Sequence, residues 1–412
     1  MASISTRKKK ILNDPVYGFI TIPSDFIFDL IEHPWFQRLR RICQLGLSSM
    51  VYSGAIHTRF QHVLGAMHLM NKSIEVLRSK GVPISDEEAE GLICAILLHD
   101  IGHGPFSHTL ERSLVRGVHH EDLSDILMQQ LNREFGGRLT TALDIFNDRY
   151  PRRFLHQLVS SQLDMDRMDY LRRDTFFTGV SEGHIGSERI IEMLAVADDR
   201  LVVEAKGIYS IEKFIIARRL MYWQVYLHKT VLAAEFMLMQ ALRRAVALAR
   251  GNTELFASPA LGLFLKNDFS HADFAQRPDL IAAFAALDDF DVLGAIKVWQ
   301  HHPDFVLSRL CSGLVHRRLF KITLQSDPIS HSLRANKTQH ILGYPDFNAD
   351  VLEYFLLEGS VDNRAYQTGE DKIGILYKDG TVKDLPEAAD LIDFKAISGE
   401  IRKYYLAYYV ES

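Results

Sequence analysis

His62, the doublet His99-Asp100 and Asp166 are two imidazoles and two carboxylates from separated segments, a donor set that one divalent metal can collect. Imidazole suits borderline transition metals and carboxylate suits harder ions, so the set admits Fe, Mn, Mg, Zn, Ni or Co. Water or substrate would fill the remaining positions, and a second ion such as Mg is compatible with the same chemistry. If the four side chains meet, the expected chemistry is metal-assisted hydrolysis of a phosphate ester. The doublet stands in Leu98-His99-Asp100-Ile101-Gly102-His103-Gly104-Pro105-Phe106-Ser107-His108, where two glycines and a proline end a helix soon after Asp100. Successive helical residues diverge by about 100°, so adjacent ligands converge on one ion most readily where the backbone turns.

The elements that must carry these residues follow from periodicity. A helical stretch over 24–41 leads through Gln44-Leu45-Gly46 and a turn-rich segment to His57-Thr58-Arg59-Phe60-Gln61-His62. The next helix has Val63, Met67, Met70, Ile74 and Leu77 at helical spacing and closes at Gly81-Val82-Pro83. Ser85 and Glu88 make a capping-box pattern before a helix whose Leu92, Ile93, Ile96 and Leu97 lead into His99-Asp100. A third helix, over 155–174, puts Asp166, Tyr170 and Asp174 on one face at i, i+4 and i+8. Within it, Asp164 with Arg167 and Asp169 with Arg173 read as structural pairs. Two β-like runs, 201–204 and 207–210, precede an unusually long helical pattern over 211–250. There Arg218, Tyr222 and Tyr226 repeat every four residues, with Lys229 close to the same stripe. Residues 255–315 read as shorter helices. From about Gln325 the character changes: Ile373, Ile375 and Tyr377 alternate before the hairpin signal Lys378-Asp379-Gly380-Thr381, and 404–410 is β-rich. The expected fold is mainly α, with a helical core over 1–324, its metal site within 57–174, and a small α+β subdomain over 325–412.

Composition bounds the partners. The chain has 412 residues, 47% of them hydrophobic, enough for a sizeable core. A net charge of −5 argues against nucleic acid as the main partner, although a local basic pocket could hold a polyphosphate. Cys43, Cys94 and Cys311 are odd in number and lack paired zinc spacing, which fits free thiols in a reducing, cytoplasmic setting. Met1 to Lys10 is polar and ends in Arg7-Lys8-Lys9-Lys10, unlike a signal peptide, and no apolar run is long enough to span a bilayer.

Taken together, Asn13-Asp14-Pro15, Phe36-Gln37-Arg38-Leu39-Arg40, Gln44-Leu45-Gly46, Arg59-Phe60-Gln61-His62, the His99-to-His108 string and Asp164-Met165-Asp166-Arg167-Met168-Asp169-Tyr170 resemble the HD-domain dNTP triphosphohydrolases. The likeness is to the branch containing the sterile-alpha-motif and HD-domain dNTPase and its bacterial relatives. It runs in order from Lys10 to the Asn363-Arg364-Ala365-Tyr366 region.

The resemblance implies an HD-domain helical core in which His62, His99, Asp100 and Asp166 bind the metal. It implies attack at the α-phosphorus of a dNTP, with a deoxynucleoside and inorganic triphosphate as products. The departing 5′ oxygen needs a proton donor, and His108 with Glu111 at i+3 supplies an imidazole and an orienting carboxylate; family members often carry Asp at the latter position. His103 and His120 match further active-site histidines that contact phosphate oxygens. Arg59, Arg167 and Arg218 are the cations that would offset the triphosphate, Arg167 standing where relatives often have Lys. Tyr170, Asp174 and Gln44 match positions near the sugar, Asp174 accepting from the 3′-hydroxyl. Leu45 and Tyr226 would wall the 2′ carbon and exclude a ribose hydroxyl.

For a regulatory nucleotide bound between subunits, the matching positions are Lys10, Asn13, Gln37, Arg40, Lys206, Lys229, Arg317 and Lys321. Glu32 replaces Asp there and Glu204 replaces a basic residue, so a carboxylate stands where a phosphate contact is expected. The resemblance also implies a homo-oligomer, dimer or tetramer. Two other readings stay open: an HD phosphohydrolase acting on another nucleotide or a signalling phosphoester, and a nucleotide-sensing binding protein.

Overall fold

The computed structural model describes residues 10–106, 108–115, 117–363, 366, 372–394, 399 and 401–411, and only the backbone at positions 108, 111 and 112. The described chain opens on an antiparallel hairpin, β1 (Ile11–Asp14) and β2 (Gly18–Thr21). Helix α1 (Asp25–Glu32) follows, capped by Ser24, whose Oγ accepts from Ile27 N. The helix expected over 24–41 stops here. Pro34 disfavours helical backbone at the residue before it, and His33 is extended at ψ 136°, so only short helical turns fill 34–41.

The site is carried by the next elements. Helix α2 (Arg59–Ser79) buries Val63, Met67, Met70, Ile74 and Leu77, as their spacing predicts. Helix α3 (Asp86–Leu98) begins with the expected reciprocal cap: Ser85 N donates to Glu88 Oε2 and Glu88 N to Ser85 Oγ, at 2.8 and 3.1 Å. Every residue of α3 from Gly91 to Leu98 is buried, which makes it the central helix. After the glycine-rich loop come α4 (His108–Ser113), α5 (His120–Glu134) and α6 (Arg153–Val159). The third expected helix is broken between 159 and 165. Asp164 is extended there, and its carboxylate caps α7 (Met165–Thr178) by accepting from Arg167 N at 2.7 Å. Gly179, at φ +74°, ends α7 in the left-handed conformation that glycine adopts without a Cβ clash.

Strands β3 (Leu194–Ala197) and β4 (Arg200–Glu204) pair antiparallel, but the second β-like run is absent because helix α8 (Ile208–Met221) starts within it. The long helix expected over 211–250 is two helices. A π-helical turn occupies Tyr222–Tyr226, with Leu227 N reaching Tyr222 O at 2.7 Å, and α9 (Lys229–Arg250) begins afresh. Extended His228 separates them, its Nδ1 accepting from Thr230 N as a cap. The shorter helices include α10 (Asp289–Trp299) and α11 (Phe305–Val315).

The last part supplies strands β5 (Lys321–Gln325), β6 (Leu356–Asn363), β7 (Gly374–Leu376), β8 (Val382–Asp384) and β9 (Ile401–Tyr408). β9 lies between β5 and β6 in an antiparallel sheet, whereas β7 pairs parallel with β4 of the helical part, Val203 opposite Ile375. One hydrophobic cluster extends from Ile20 to Tyr409. The fold is mainly α with a small C-terminal subdomain, whose strand β7 extends the sheet begun by β3 and β4. No described helix is long and apolar enough to cross a membrane.

Candidate metal centre and active site

α2, the end of α3 and α7 bring three of the four expected ligands together: one donor atom each from His62, His99 and Asp166 lie within 4.8 Å of one another. Asp100 adjoins them, its oxygens 3.8 Å from His62 Nε2 and 3.3 Å from His99 Nε2. His62 Nε2 stands 3.0 Å from Asp166 Oδ1.

The tautomers follow from the partners. His62 Nδ1–H donates to Asp169 Oδ2 at 2.8 Å and His99 Nδ1–H to the Ile96 carbonyl at 2.7 Å, because neither partner can donate. In neutral rings both Nε2 lone pairs then face the carboxylates. Both Nε2 atoms are buried without a hydrogen-bond partner among the described residues, so acceptors face acceptors in an arrangement that calls for a cation. The residues thus fit a divalent metal on geometry and on donor chemistry. The field says the same of a proton. Burial alone would lower His62, yet Asp166 and Asp169 push it up to about 10; burial alone would raise Asp166, yet His62 and His99 hold it far below the usual carboxylate range.

Asp169 was read from sequence as a partner of Arg173 only. It does accept from Arg173 Nε and Nη2, at 2.9 and 3.1 Å, but it also orients a ligand histidine. Arg173, fully buried, continues to Asp14 Oδ2 at 2.8 Å. The β1–β2 hairpin, α7 and α2 are therefore tied through one buried chain of charges that ends on His62.

The loop after Asp100 is held from three sides. Ser124 Oγ donates to His99 O and accepts from Gly102 N, at 2.6 and 3.0 Å, and Arg38 donates to Ile101 O at 2.6 Å. Asp289 accepts from Phe106 N at 3.1 Å and from Cys43 N at 2.7 Å, which joins this loop to the segment carrying Gln44 and Leu45. Gly102 is required because a Cβ there would lie 2.3 Å from backbone atoms of His120 and Ser124. Ser124 and Asp289 carry no local sequence signal, since each acts across a long separation.

Arg59, expected to meet phosphate, hydrogen-bonds through Nη1 to Asp100 Oδ2 and is itself buried. Its charge, after the counteracting burial, is the leading reason Asp100 sits well below the usual carboxylate range. His103 Nε2 lies 3.2 Å from Asp100 Oδ1, and its ring stacks on His120 at 3.8 Å and 19°. Burial, then the Arg59 charge, depress His103 strongly, which favours the neutral ring. His108 and Glu111 stand on α4, but their side chains lie outside the described residues.

Farther along α7 the face expected from i, i+4, i+8 spacing lies beside basic and aromatic groups, with Arg167, Arg218 and Tyr222 acting on Tyr170. Arg167 Nε is 3.2 Å from Asp164 Oδ2 and donates to Ser161 O at 2.5 Å, confirming the i+3 pair while leaving its side chain about one-third exposed. Burial first, with Arg167 adding to it, lowers Arg218; burial raises the Tyr170 phenol against both arginines. Tyr226 stands edge-on to Tyr170 and Tyr222, at 6.2 and 5.1 Å. Asp174 departs from the expectation of a carboxylate open to the sugar: Oδ1 accepts from His57 Nε2 at 2.7 Å and Oδ2 from Tyr226 OH at 2.8 Å. Gln44 and Leu45 are half-buried, and Gln44 Oε1 is a buried atom without a hydrogen-bond partner among the described residues.

The expected effector residues divide. Lys229, Arg317 and Lys321, with Arg318, line an open cleft of about 530 Å³ that has no acidic residue among its described lining. Lys10, Asn13, Gln37, Arg40 and Lys206 do not line it. Gln37 Oε1 accepts from Arg40 Nε at 2.7 Å, and Lys10 Nζ sits 3.2 Å above the Phe28 ring. Glu204 is 2.7 Å from Lys80 Nζ and 3.6 Å from Lys206 Nζ, so it neutralises the lysine that was to meet phosphate.

Comparison with known proteins agrees with this arrangement. The family model described as HD domain matches residues 59–174, and that of the HD associated region matches 185–258. A crystal structure of a phosphohydrolase from Bacteroides thetaiotaomicron VPI-5482 superposes with a TM-score of 0.94 at 54% identity, over 98% of this chain and 100% of that one. Uncharacterized protein YwfO of Bacillus subtilis is 31% identical over 416 residues, 98% of this chain and 92% of the relative. The deoxynucleoside triphosphate triphosphohydrolase SAMHD1 homolog of Dictyostelium discoideum is 31% identical over 260 residues, and this chain spans about half (50%) of its length. The chain belongs to the HD-domain phosphohydrolase family: it is a hydrolase with a divalent-metal site.

Proposed function

We propose that this protein hydrolyses dNTPs at the α-phosphorus, releasing a deoxynucleoside and inorganic triphosphate. One observation carries the reading: Asp166 of the metal cluster, Tyr170 and the Tyr226-bonded Asp174 follow one another along one face of α7. Metal ligand, phenol and sugar-sized polar contact thus lie in a row. His62, His99, Asp166 and Asp100 would hold a divalent metal, which when bound would acidify water and polarise a phosphoryl oxygen.

The chain's own groups do the rest. Arg59, Arg167 and Arg218 bind the phosphate oxygens, with neutral His103 and His120 as further partners. His108, oriented by Glu111, donates the proton to the departing 5′ oxygen. Gln44, Tyr170 and Asp174 hold the sugar, while Leu45 and Tyr226 leave no room for a 2′-hydroxyl. The cleft at Lys229, Arg317 and Lys321 is suited to a polyphosphate effector, whereas Lys206 is paired with Glu204 outside it. Homo-oligomerisation, as a dimer or tetramer, belongs to the same reading, and the free thiols at Cys43, Cys94 and Cys311 support a cytoplasmic setting.

The test is incubation of metal-loaded protein with each dNTP and NTP, singly and mixed, with the products resolved. Triphosphate from dNTPs is expected. Orthophosphate or pyrophosphate instead would support action on another phosphoester, and binding without turnover would support a sensor.

A further inference from the structure

His57 stands just before α2 and its ring is wholly buried. The ring lies flat on Phe177, centroids 4.5 Å apart and planes 15° from parallel. Among the described residues its one polar partner is Asp174, to which Nε2–H donates, and Nδ1 is buried with none. Leaving a polar nitrogen buried and unpaired is unfavourable, and a phenylalanine would stack equally well without that penalty. What a phenylalanine lacks is the donor at Nε2. That donor and the Tyr226 hydroxyl hold opposite oxygens of the same carboxylate, 2.7 and 2.8 Å away, so Asp174 is fixed in one rotamer with a lone pair left on each oxygen.

We propose that His57 is a positioning residue for the sugar end of the site. It fixes the Asp174 carboxylate, and through it Tyr226, where they read the 3′-hydroxyl of a deoxynucleotide. This rests on the dNTP reading above. The contact crosses 117 residues of chain and joins the segment before α2 to α7, the helix that also carries Asp166.

His57→Phe and His57→Gln separate the donor from the ring. The first keeps the stacking surface without a hydrogen-bond donor; the second restores an N–H near the place of Nε2 without a ring. Each is compared with the unaltered, metal-loaded protein on a dNTP and on its 2′,3′-dideoxy counterpart, read as kcat and KM, or as an inhibition constant where dideoxy turnover is too slow. Metal content and thermal midpoint are measured alongside. Expected is a loss of about ten- to a hundredfold in kcat/KM for the Phe variant on the dNTP, and recovery of most of it by Gln. On the dideoxy compound, which lacks the hydroxyl, the Phe variant should differ from the unaltered protein by less than about threefold. Should the Phe variant fail to fold, His57→Asn, whose shorter amide does not reach Asp174, takes its place. Equal losses on both sugars, no loss in a folded variant, or a Gln variant as impaired as Phe would overturn the assignment while leaving the dNTP reading intact. No triphosphate from any dNTP with the unaltered protein would overturn both.

Discussion

At the residue scale, the centre depends on two Nε2 lone pairs being presented together beside Asp166, with Asp169 orienting the His62 ring and the Ile96 carbonyl the His99 ring. Asp166 is a ligand in its own right, so Asp166→Ala should leave the purified protein with little bound metal by elemental analysis; full occupancy would remove Asp166 from the ligand set. Asp169 touches only Nδ1 of His62, so Asp169→Asn should keep the ligands yet weaken metal binding by about 10–100-fold, as loss of an orienting partner does elsewhere. A titration in competition with a chelator reads that directly, and unchanged affinity would leave Asp169 only its pairing with Arg173. The four ligand types were legible because imidazoles and carboxylates outside ordinary surface patterns are conspicuous. The orienting role of Asp169 was not, since its i+4 neighbour Arg173 already explains it and the histidine it serves is 107 residues away. Asp174 erred the other way: its place on the expected face was readable, but the two donors that occupy it come from outside α7.

At the element scale, α2 and α7 cross closely at Gly65. A Cβ there would lie 2.0 Å from Asp169 Oδ1 and 2.2 Å from Arg173 Nη2, inside the ion pair that supports His62. Gly65→Ala should therefore do two things at once: destabilise the fold by about 1–3 kcal/mol, as overpacking does, and loosen metal binding. A lower thermal midpoint with unaltered metal affinity would show that the helices separate without disturbing the Asp169–His62 bond. The crossing explains which elements could be read from sequence. Helices α2 and α3 were legible from apolar spacing and from the Ser85–Glu88 cap. The breaks at 160–164 and 227–228 were not, because the apolar and aromatic spacing runs on through them. A π-helical turn inserts one residue per turn without changing composition, so Arg218, Tyr222 and Tyr226 keep a four-residue spacing across a helix that has in fact ended. Only His33, before a proline, left a local mark of its break.

For the whole molecule, the metal site joins helices whose ligands lie far apart in sequence, so binding there stabilises the fold that gathers them. Protons compete for the same place. Without metal, His62 is raised from its ordinary 6.5 to about 10, so its contribution to stability is fully present below about pH 6.5 and is lost as pH rises through about 10. With metal the sign reverses, because the cation must displace that proton, and binding strengthens as pH climbs through the same window. Each displaced proton makes binding more favourable by about 1.4 kcal/mol per pH unit. At a hundredfold excess of metal over its Kd the stabilisation is about 2.7 kcal/mol. The gap in thermal midpoint between metal-loaded and chelator-treated protein should accordingly widen from pH 7 to pH 9 at fixed free metal, while the chelated protein alone declines. A gap that stays constant would mean that no proton leaves His62 when the cation enters, and that the paired lone pairs seen between α2, α3 and α7 are not where it binds.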